Sequence, residues 1–306
     1  LLGKCNRATG STIFSDDEQA AIRLAAFTWL DREIAAGRYD FKRSELRNFH
    51  FNGENIPLVD AQKGIWNPQS FSSTLSIVSM LKSKYNDEAD ADSSVIRYKY
   101  RDKGSGDNRK LKLALARKDP ILYFQEVYDG RYAARYPAYV LADDEPNETF
   151  LITFDESLRF FADPLHMTGD ERRYAERLSK VRLHQPVFRA RVMHAYSSTC
   201  AVCSLKYPDL LDAAHIVSDS DVNGFATVQN GLALCKIHHA AYDRNLLGIS
   251  PNYRIEINQK LLDDVDGPML RYGLQDMNGR ALILPKRAQD HPSTNALAER
   301  YNAFAA

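Results

Sequence analysis

The stretch from Cys200 to Arg244 reads CAVCSLKYPDLLDAAHIVSDSDVNGFATVQNGLALCKIHHAAYDR and decides the interpretation of the C-terminal half of the chain. Three of the four cysteines of the chain lie in it, and His238 and His239 follow Cys235 closely. Because 306 residues with four cysteines do not make a disulfide scaffold, this clustering favours a metal site.

Two pairs of candidate ligands, each separated by two residues, occur in this stretch: Cys200 with Cys203, and Cys235 with His238. Each pair can present two ligand atoms from one tight turn. Together they make a Cys3His set, which is typical of a closed, tetrahedral structural zinc site. Such a site stabilises a small region whose hydrophobic core is thin. The sequence therefore predicts Zn2+ bound by these four residues.

The composition excludes several classes of protein. The 40 Lys and Arg residues balance the 40 Asp and Glu residues, and a hydrophobic share of 44% is ordinary for a globular chain. We find no apolar run as long as a membrane span, and we expect no secretory signal and no contact with a membrane. A neutral chain that binds nucleic acid must do so through local patches of charge.

Four residues of the stretch have chemistry that a zinc site does not need: His215, Asn230, His239 and Asp243. An imidazole can take a proton from water near neutral pH, and an Asn side chain can hold a backbone by paired hydrogen bonds. A His and an Asp four residues apart on a helix share one face and can ligate one cation. Phosphodiester hydrolysis needs a base for the water and a cation for the developing charge.

The order His215, Asn230, His239 resembles the HNH, or ββα-metal, nuclease family in its zinc-containing form. The resemblance implies that His215 is the general base and that Asn230 is the residue that orients it. It also implies that His239 ligates a catalytic cation, Mg2+ or Mn2+. Asp243 stands where several members of the family have a second ligand.

The surroundings of His215 include one departure from the family pattern. The family has its first His on a strand and its last on a helix, and here Leu211–Val217 is strand-like while Cys235–Leu246 is helix-compatible. Many members have a metal ligand directly before the base, where this chain has Ala214. Asp212 would share a strand face with Ala214, so two roles are open for it: a ligand of the cation, or a contact to one of the ligands.

Residues 39–155 consist of short apolar runs separated by Gly, Pro, Asn and Asp. β-Branched and aromatic residues dominate the runs, which predicts many short strands in a β-barrel or a strongly bent sheet. The runs are Ile56–Val59, Leu75–Val78, Val95–Tyr100, Ile121–Phe124, Ala138–Leu141 and Phe150–Phe154.

Helices are predicted before, within and after this region. A capping-box pattern predicts a first helix that begins after Ser15 and ends at about Gly37. Arg109–Lys118 is helical in pattern, and Asp170–Tyr196 predicts a basic helix that Pro186 kinks or splits.

The chain as a whole is therefore predicted to have an α+β fold in three parts. A strand-rich DNA-recognition domain, by analogy a barrel of the PUA or SRA kind, occupies residues 1–160. A helical connector follows at 161–196, and a zinc-stapled ββα-metal HNH domain at 197–306. From about residue 40 to 300, the chain also resembles bacterial HNH restriction endonucleases, through segments such as Gly64–Pro68 and Pro120–Phe124.

An HNH module by itself cuts with little sequence preference, so a restriction enzyme needs a domain that selects the target. Between Arg97 and Asp119, nine basic residues face three acidic ones, and such a patch can neutralise phosphates. Nearby aromatic side chains could stack on an exposed base or fill a small barrel. Trp66 would line a pocket loop or anchor a connecting loop. The candidate DNA-binding residues are Trp66, Arg97, Lys99, Arg101, Arg109, Lys110 and Tyr136.

Three functions are compatible with these features. The first is an endonuclease that cuts double-stranded DNA carrying 5-methylcytosine, 5-hydroxymethylcytosine or phosphorothioate, which the N-terminal domain reads. The second is a catalytically inactive, zinc-containing DNA-binding protein, and the third is an unselective nuclease. We favour the first, in the bacterial cytoplasm, and we expect a homodimer because each HNH site usually cuts one strand.

Overall fold

The computed structural model describes residues 13–81, 95–101, 106–160, 163–166, 185–218 and 226–305. The chain forms two compact units, the first made mainly of residues before 169 and the second mainly of residues from 169 onward. Both contain helices and strands, so the predicted α+β fold with a strand-rich N-terminal part is confirmed. The boundaries at residues 160 and 196 stay predictions. None of the helices in the described ranges has the length and apolar character needed to cross a membrane.

The first helix, α1 (Asp16–Ala35), begins with a capping box, as the sequence predicts. The Ser15 backbone N–H donates to Glu18 Oε2 at 2.8 Å, and the Glu18 N–H donates to Ser15 Oγ at 3.3 Å. Gly37 follows with a φ of +83°, the left-handed conformation that commonly ends a helix. The buried apolar residues of α1 are Ile22, Ala26 and Leu30.

One mixed sheet forms the frame of the first unit. Its elements after α1 are β1 (Phe41–Lys42), α2 (Arg43–Leu46), β2 (His50–Phe51), β3 (Glu54–Asn55), β4 (Ile65–Trp66), β5 (Ser76–Ser79), β6 (Val95–Lys99), α3 (Gly106–Arg117), β7 (Ile121–Tyr128), β8 (Arg131–Asp144) and β9 (Thr149–Thr153). Among the described residues, seven strands form the sheet in the order β4-β5-β7-β8-β9-β6, with β1 also paired to β8. β5 and β7 are parallel, and the other pairs are antiparallel. Register shifts along β8 are of the kind that bends a sheet.

Side chains from β6 and the residues after it link the two ends of this strand order. Tyr98 OH lies 2.9 Å from Gly64 O beside β4 and 3.2 Å from Val78 O of β5. A Cβ on Gly64 would lie 2.8 Å from Arg101 Nε, so the close approach requires glycine. The sheet is therefore strongly curved, which is one of the two forms that the sequence predicts.

The apolar run Ile56–Val59 was predicted as a strand, and that prediction is wrong. The run is buried, but it forms no strand. Pro57 has no N–H to donate to a ladder, and its carbonyl oxygen accepts a hydrogen bond from Trp66 Nε1 at 2.6 Å. The other five runs fall on β5 to β9, because their backbone groups are free to pair.

A β-hairpin followed directly by a helix is the central feature of the second unit. The elements of this unit are α4 (Gln185–Ala195), β10 (Leu211–His215), β11 (Gly231–Cys235), α5 (Lys236–Asp243), β12 (Leu247–Ile249), β13 (Ile255–Ile257), α6 (Gln259–Leu262), α7 (Pro268–Gly273) and α8 (Thr294–Ala305). β10 and β11 are antiparallel, with Leu211 opposite Cys235 and His215 opposite Gly231. The ββα order that the resemblance implies is therefore present in β10, β11 and α5.

Helix α4 packs on this hairpin through Phe188 and Val192. A Cβ on Gly231 would lie 2.4 Å from Val192 Cγ2 and 3.0 Å from the Phe188 ring, so the helix and strand are in close contact. Both belong to one hydrophobic core with β12, β13 and α8. Most of the predicted helix at Asp170–Tyr196 lies outside the described residues. The described part begins at residue 185 and has Pro186 in its first turn, a position that tolerates proline.

Candidate metal and nuclease site

Three thiols and one imidazole meet in the second unit. Cys200 and Cys203 lie in the turn after α4, Cys235 ends β11, and His238 lies in the first turn of α5. Their ligand atoms all lie within 4.8 Å of one another, so the group could hold a metal ion. Cys235 Sγ is 3.0 Å and Cys200 Sγ 3.6 Å from His238 Nδ1, and the sulfurs of Cys203 and Cys235 are 4.0 Å apart. The predicted Cys3His cluster is thus present.

The orientation of His238 fits a ligand. Its Nε2 lies 2.7 Å from the carbonyl oxygen of Gly273 at the end of α7. Since a carbonyl oxygen only accepts, Nε2 carries a proton and Nδ1 is the atom directed at the sulfurs. Three sulfurs and one ring nitrogen are the donor set of a structural zinc site. A metal ion there would join the turn after α4 to β11 and α5.

The cysteines and His238 change one another's ionisation. Hydrogen bonds from Cys203 and Cys235 hold the pKa of Cys200 far below its ordinary value, whereas the contacts with Cys200 and Cys235 raise the pKa of Cys203. Burial alone would lower the pKa of His238, but its hydrogen bonds with Cys200 and Cys235 raise it to about 10. The contacts within the cluster therefore favour the thiolate at Cys200, the form in which cysteine binds a metal, and the neutral thiol at Cys203.

Asn230 closes a 3-10 turn, Val228–Asn230, directly before β11, and its side chain is buried. Its Oδ1 accepts the Val217 N–H at 2.9 Å, and its Nδ2 donates to Val217 O, also at 2.9 Å. The Ile216 N–H donates to Asn230 O at 2.9 Å. Asn230 therefore fixes the backbone directly after His215, through both groups of its amide.

His215 is the last residue of β10, and its side chain is half-buried. Its ring stacks on Phe188 of α4, with centroids 3.9 Å apart and an angle of 8° between the ring planes. The stack sets the plane of the imidazole, while Asn230 fixes the backbone that follows. Contacts from two different elements therefore determine where His215 lies.

Asp212, near the start of β10, is the centre of a charged cluster. Its Oδ1 accepts hydrogen bonds from Arg189 Nη1 at 2.9 Å and from Lys236 Nζ at 2.7 Å. Its Oδ2 lies 3.2 Å from Nδ1 of His239. Burial alone would raise the pKa of Asp212, but the hydrogen bonds from these three partners outweigh it and hold the pKa below its ordinary value. The carboxylate is therefore ionised at neutral pH.

The second ring nitrogen of His239 faces Asp243. His239 Nε2 lies 3.4 Å from Asp243 Oδ2, one turn further along α5. Neighbouring ligands of an octahedral Mg2+ lie roughly 3 Å apart, so this pair fits a shared cation. The Asp243 side chain is 59% exposed, which leaves room for water and phosphate as further ligands.

Arg189 belongs to this cluster, although the sequence assigns it only to a basic helix face. Besides Asp212, its guanidinium donates to the carbonyl oxygen of Leu211. Arg189 and Asp212 are 23 residues apart, so no local spacing signals their contact. Only the packing of α4 beside β10 brings them together. The contact of Asp212 Oδ2 with His239 Nδ1 places this carboxylate beside a candidate cation ligand.

Internal contacts occupy two of the five basic candidate DNA-binding residues. Arg101 is 8% exposed, with Nε 3.1 Å from Tyr98 OH and the guanidinium 4.1 Å from the centroid of the Tyr98 ring. Lys110 Nζ donates to the carbonyl oxygens of Pro68 at 3.0 Å and Phe71 at 2.7 Å. Because their charged groups already have partners inside the unit, these contacts favour structural roles for both residues.

The two aromatic candidates also have partners inside the first unit. Trp66 is half-buried and donates its indole N–H to Pro57, which favours the anchor over the pocket loop. Tyr136 stacks on Phe27, with ring centroids 5.5 Å apart, and its hydroxyl donates to Asp31 Oδ1 at 2.9 Å. Burial and this hydrogen bond raise the pKa of Tyr136 well above its ordinary value.

The remaining candidates are Arg97, Lys99 and Arg109. Arg97 on β6 is exposed, and its Nη1 lies 3.5 Å from Oδ2 of Asp144 at the end of β8. Lys99 on the same strand is half-buried, and Arg109 on α3 is exposed. Arg97 and Arg109 are therefore the candidates of this group that solvent reaches most readily.

Residues 200–250 match the model of the HNH_2 family, described as HNH endonuclease. No curated protein matches the chain. Similar solved structures include "Modification dependent TagI restriction endonuclease", with 16% identity and a TM-score of 0.29 over 79% of this chain and 85% of that one. An SRA domain of SUVH5 with hemi-methylated CG DNA has 21% identity and a TM-score of 0.24 over 31% and 73%. The phosphorothioation-dependent restriction endonuclease ScoMcrA has 14% identity and a TM-score of 0.22 over 58% and 54%.

TM-scores this low do not establish a shared fold, so the family match is the finding that assigns a class. The matched residues include all candidate ligands and motif residues of the site, but not Phe188 and Arg189. They contain Cys200, Cys203, Asp212, His215, Asn230, Cys235, His238, His239 and Asp243. Through residues 200–250, the chain therefore carries an HNH endonuclease domain.

Proposed function

We propose that the protein hydrolyses phosphodiester bonds of double-stranded DNA at the site formed by His215, His239 and Asp243. The observation that carries the proposal is the HNH match over residues 200–250, on a hairpin and helix whose Asn230 fixes the strand end at His215. This arrangement supplies a base, a pair of cation ligands and a fixed backbone, which are the parts that the reaction needs.

His215 acts as the general base in this proposal. It accepts a proton from a water molecule while the water oxygen attacks phosphorus. Because Phe188 sets its ring plane and Asn230 fixes the adjoining backbone, little reorganisation is needed at the moment of proton transfer.

His239 and Asp243 would hold a Mg2+ or Mn2+ ion. When bound, the cation stabilises the negative charge that develops on the phosphate. The half-buried His239 offers a fixed ligand atom, and the exposed Asp243 leaves one side of the site open to substrate.

Cys200, Cys203, Cys235 and His238 would hold Zn2+ in a structural site. All four positions are filled by protein atoms, which leaves none for substrate. His238 and the cation ligand His239 are adjacent on α5, so an ion in the cluster would fix the helix that carries the catalytic cation.

We also propose that the first unit selects the DNA, by reading a modified cytosine or a phosphorothioate. A host that carries an unselective DNA nuclease damages its own genome, so the HNH site needs a target-selecting partner. In a chain of zero net charge, the basic run between Arg97 and Asp119 is a local patch of the kind that binds phosphates. Of the candidate DNA-binding residues in this run, the exposed Arg97 and Arg109 are the best placed to do so.

A cleavage assay tests these proposals. Four plasmids are compared in Mg2+ and in Mn2+: unmodified, with 5-methylcytosine, with 5-hydroxymethylcytosine, and with phosphorothioate. The wild-type protein is compared with His215→Ala and with His194→Ala, an exposed histidine of the same unit that serves as the matched control. We expect one modified substrate to be cut, by wild type and His194→Ala alike. His215→Ala should be at least 100-fold slower, since general base catalysis contributes roughly that factor or more.

Other outcomes of this assay would favour one of the two alternative functions. Equal cutting of all four plasmids would contradict a modification reader and leave an unselective nuclease. Zinc-dependent DNA binding without any cutting would indicate an inactive, zinc-containing DNA-binding protein. Cutting that persists in His215→Ala would remove His215 from the role of base.

A further inference from the structure

Asp212 is the residue whose position the proposed reaction does not explain. It is an ionised carboxylate beside the proposed cation site, yet it lies on the other side of the His239 ring from Asp243. Asp212 Oδ2 contacts Nδ1 at 3.2 Å, whereas Asp243 Oδ2 faces Nε2 at 3.4 Å. The two ring nitrogens point in different directions, so the two carboxylates cannot both lie next to a cation bound at Nε2.

Both oxygens of Asp212 are already in use. Oδ1 accepts from Arg189 and from Lys236, and Oδ2 faces His239. Two cationic side chains on one carboxylate also reduce its attraction for a third cation. By contrast, among the described residues His239 is the only titratable side chain within ion-pair distance of the Asp243 carboxylate, which is largely exposed. Asp243 is thus free to ligate a cation and Asp212 is not.

The contact between Asp212 and His239 determines which ring nitrogen carries the proton. An ionised carboxylate can only accept a hydrogen bond, so the 3.2 Å contact requires the proton on Nδ1. A histidine that ligates a cation is neutral, so with the proton on Nδ1 the ligand atom would be Nε2, which is the atom that faces Asp243. A carboxylate on the distal nitrogen of a metal-ligating histidine fixes both the tautomer and the ring orientation.

We propose that Asp212 is a positioning residue, held by Arg189 and Lys236, that fixes His239 as the Nδ1–H tautomer and so presents Nε2 to the catalytic cation. This inference rests on the proposed cation site at His239 and Asp243. It adds that Asp212 acts through His239 and does not itself ligate the ion. Arg189 connects this arrangement to α4, because its guanidinium also donates to the carbonyl oxygen of Leu211.

The first measurement is made on the zinc-loaded full chain without Mg2+ or Mn2+. Nitrogen-15 NMR of the imidazole groups reports which nitrogen of His239 is protonated, and the His239→Gln spectrum assigns the signals. We expect the Nδ1–H tautomer in wild type and a change toward Nε2–H in Asp212→Ala. Asp212→Asn keeps a side-chain oxygen that can accept from Nδ1–H, so it should retain the wild-type tautomer.

Lys236→Ala is the matched control. Lys236 is 58% exposed and contacts Oδ1, so removing it leaves the contact between Oδ2 and His239 in place. We expect this variant to keep the Nδ1–H tautomer. Zinc content and thermal unfolding show whether each variant is folded. If Asp212→Ala does not fold, Asp212→Asn still allows the test.

The second measurement is Mn2+ binding, followed by electron paramagnetic resonance and by the relaxation of coordinated water. Loss of a residue that orients a metal ligand typically lowers metal affinity about 10–100-fold, and we expect that loss in Asp212→Ala. The number of waters on Mn2+ should stay at the wild-type value. In Asp243→Ala, one additional water should replace the lost carboxylate.

Two results would overturn the inference alone: an additional coordinated water in Asp212→Ala, which would make Asp212 a ligand, or an unchanged Nδ1–H tautomer in that variant. Mn2+ binding that is unchanged in His239→Gln would instead remove the cation site itself, and this inference with it. The two kinds of failure are therefore distinguishable.

Discussion

At the scale of single residues, Asn230 has the most restrictive surroundings of the site, because both groups of its amide bond to Val217. The N–H and the carbonyl oxygen of Val217 need an acceptor and a donor at the same time, each at 2.9 Å. Asn and Gln offer both groups side by side on one planar amide, and Gln is longer by one methylene. The motif Asn is thus also required by the geometry of the backbone next to His215.

Asn230→Asp tests this requirement with almost no change in size. A carboxylate can still accept the Val217 N–H, but it cannot donate to Val217 O and would repel it. We expect a loss of about 1–3 kcal/mol in the free energy of unfolding, typical of a buried polar group left unsatisfied. Chemical denaturation measures it. Asn252→Asp, at an exposed loop position, is the control, and equal effects of the two changes would contradict the proposed constraint.

The Cys3His cluster gives a second prediction at this scale. Cys235→Ser should lower the bound zinc from one ion per chain to less than half of that. It should also lower the melting temperature, because the ion would link the turn after α4 to β11 and α5. Metal content by mass spectrometry and thermal unfolding by circular dichroism measure both effects. Cys5→Ser is the matched control, since Cys5 is the one cysteine outside the cluster. Full zinc content in Cys235→Ser would remove that residue from the ligand set.

At the scale of elements, α4 and the β10–β11 hairpin form one structural part of the second unit. Phe188 lies on His215, Val192 lies on Gly231, and Arg189 reaches Asp212. The helix therefore contributes to both halves of the site, although it precedes the HNH motif in sequence. Gly231 permits this packing because its position has no space for a side chain.

Gly231→Ala should destabilise the second unit by about 1–3 kcal/mol, the usual cost of an overpacked core. The added Cβ would lie 2.4 Å from Val192 Cγ2, so α4 or the Val192 side chain has to move. Val192→Ala removes that methyl group, so the double variant should be more stable than the sum of the two single effects predicts. Denaturation of all four proteins measures the coupling. Gly267→Ala, where the new Cβ meets no atom within 4 Å, is the control.

Gly231→Ala also has a consequence for activity. If α4 moves, Phe188 moves with it, and the ring of His215 loses the surface on which it stacks. Cleavage by Gly231→Ala should then fall more than its stability alone explains, and the double variant should recover part of it. Strictly additive free energies of unfolding would show that the helix and strand do not interact as described.

At the scale of the whole molecule, the chain combines an HNH domain with a first unit built on a curved sheet. The first unit has a hydrophobic core of its own, formed by α1 and the sheet. Its basic run is only partly available to DNA, because Arg101 and Lys110 have partners inside the unit. Selection of DNA by this unit would therefore depend on fewer basic side chains than the sequence suggests.

A homodimer is the prediction that belongs to this scale. Each HNH site usually cuts one strand, so a double-strand break requires two sites on one DNA. We expect sedimentation equilibrium to show two chains per complex on a cleavable duplex, whether or not the free protein is already a dimer. The His215→Ala variant allows the complex to be measured without cutting. A single chain with and without DNA would contradict the prediction.

Some features could be predicted because neighbouring residues carry them. The capping box at Ser15, the strand runs of β5 to β9 and the Cys3His cluster all depend on short spacings, in which local hydrogen bonding, side-chain alternation or ligand geometry determines the outcome. The HNH order was recognisable for the same reason, since His215, Asn230 and His239 lie within 25 residues.

Other features depended on contacts between residues that are far apart in sequence. The strand prediction at Ile56–Val59 is wrong. This run is held in place by the burial of its side chains and not by hydrogen-bonded pairing with a neighbouring strand. The sequence context of Arg101 is that of a DNA-binding residue, and only its close approach to Gly64 and Tyr98 shows that it is buried.

Sequence by itself therefore determined which chemical groups this protein has: the HNH motif, the four candidate metal ligands and the strand-rich character of the first unit. Only the tertiary structure decided how those groups are oriented. Asp212 and His239 are 27 residues apart, and the packing of α5 against β10 alone determines which ring nitrogen the carboxylate meets. The physical reason is that residue type sets what a group can do, whereas its protonation, partners and direction depend on the groups that folding brings around it.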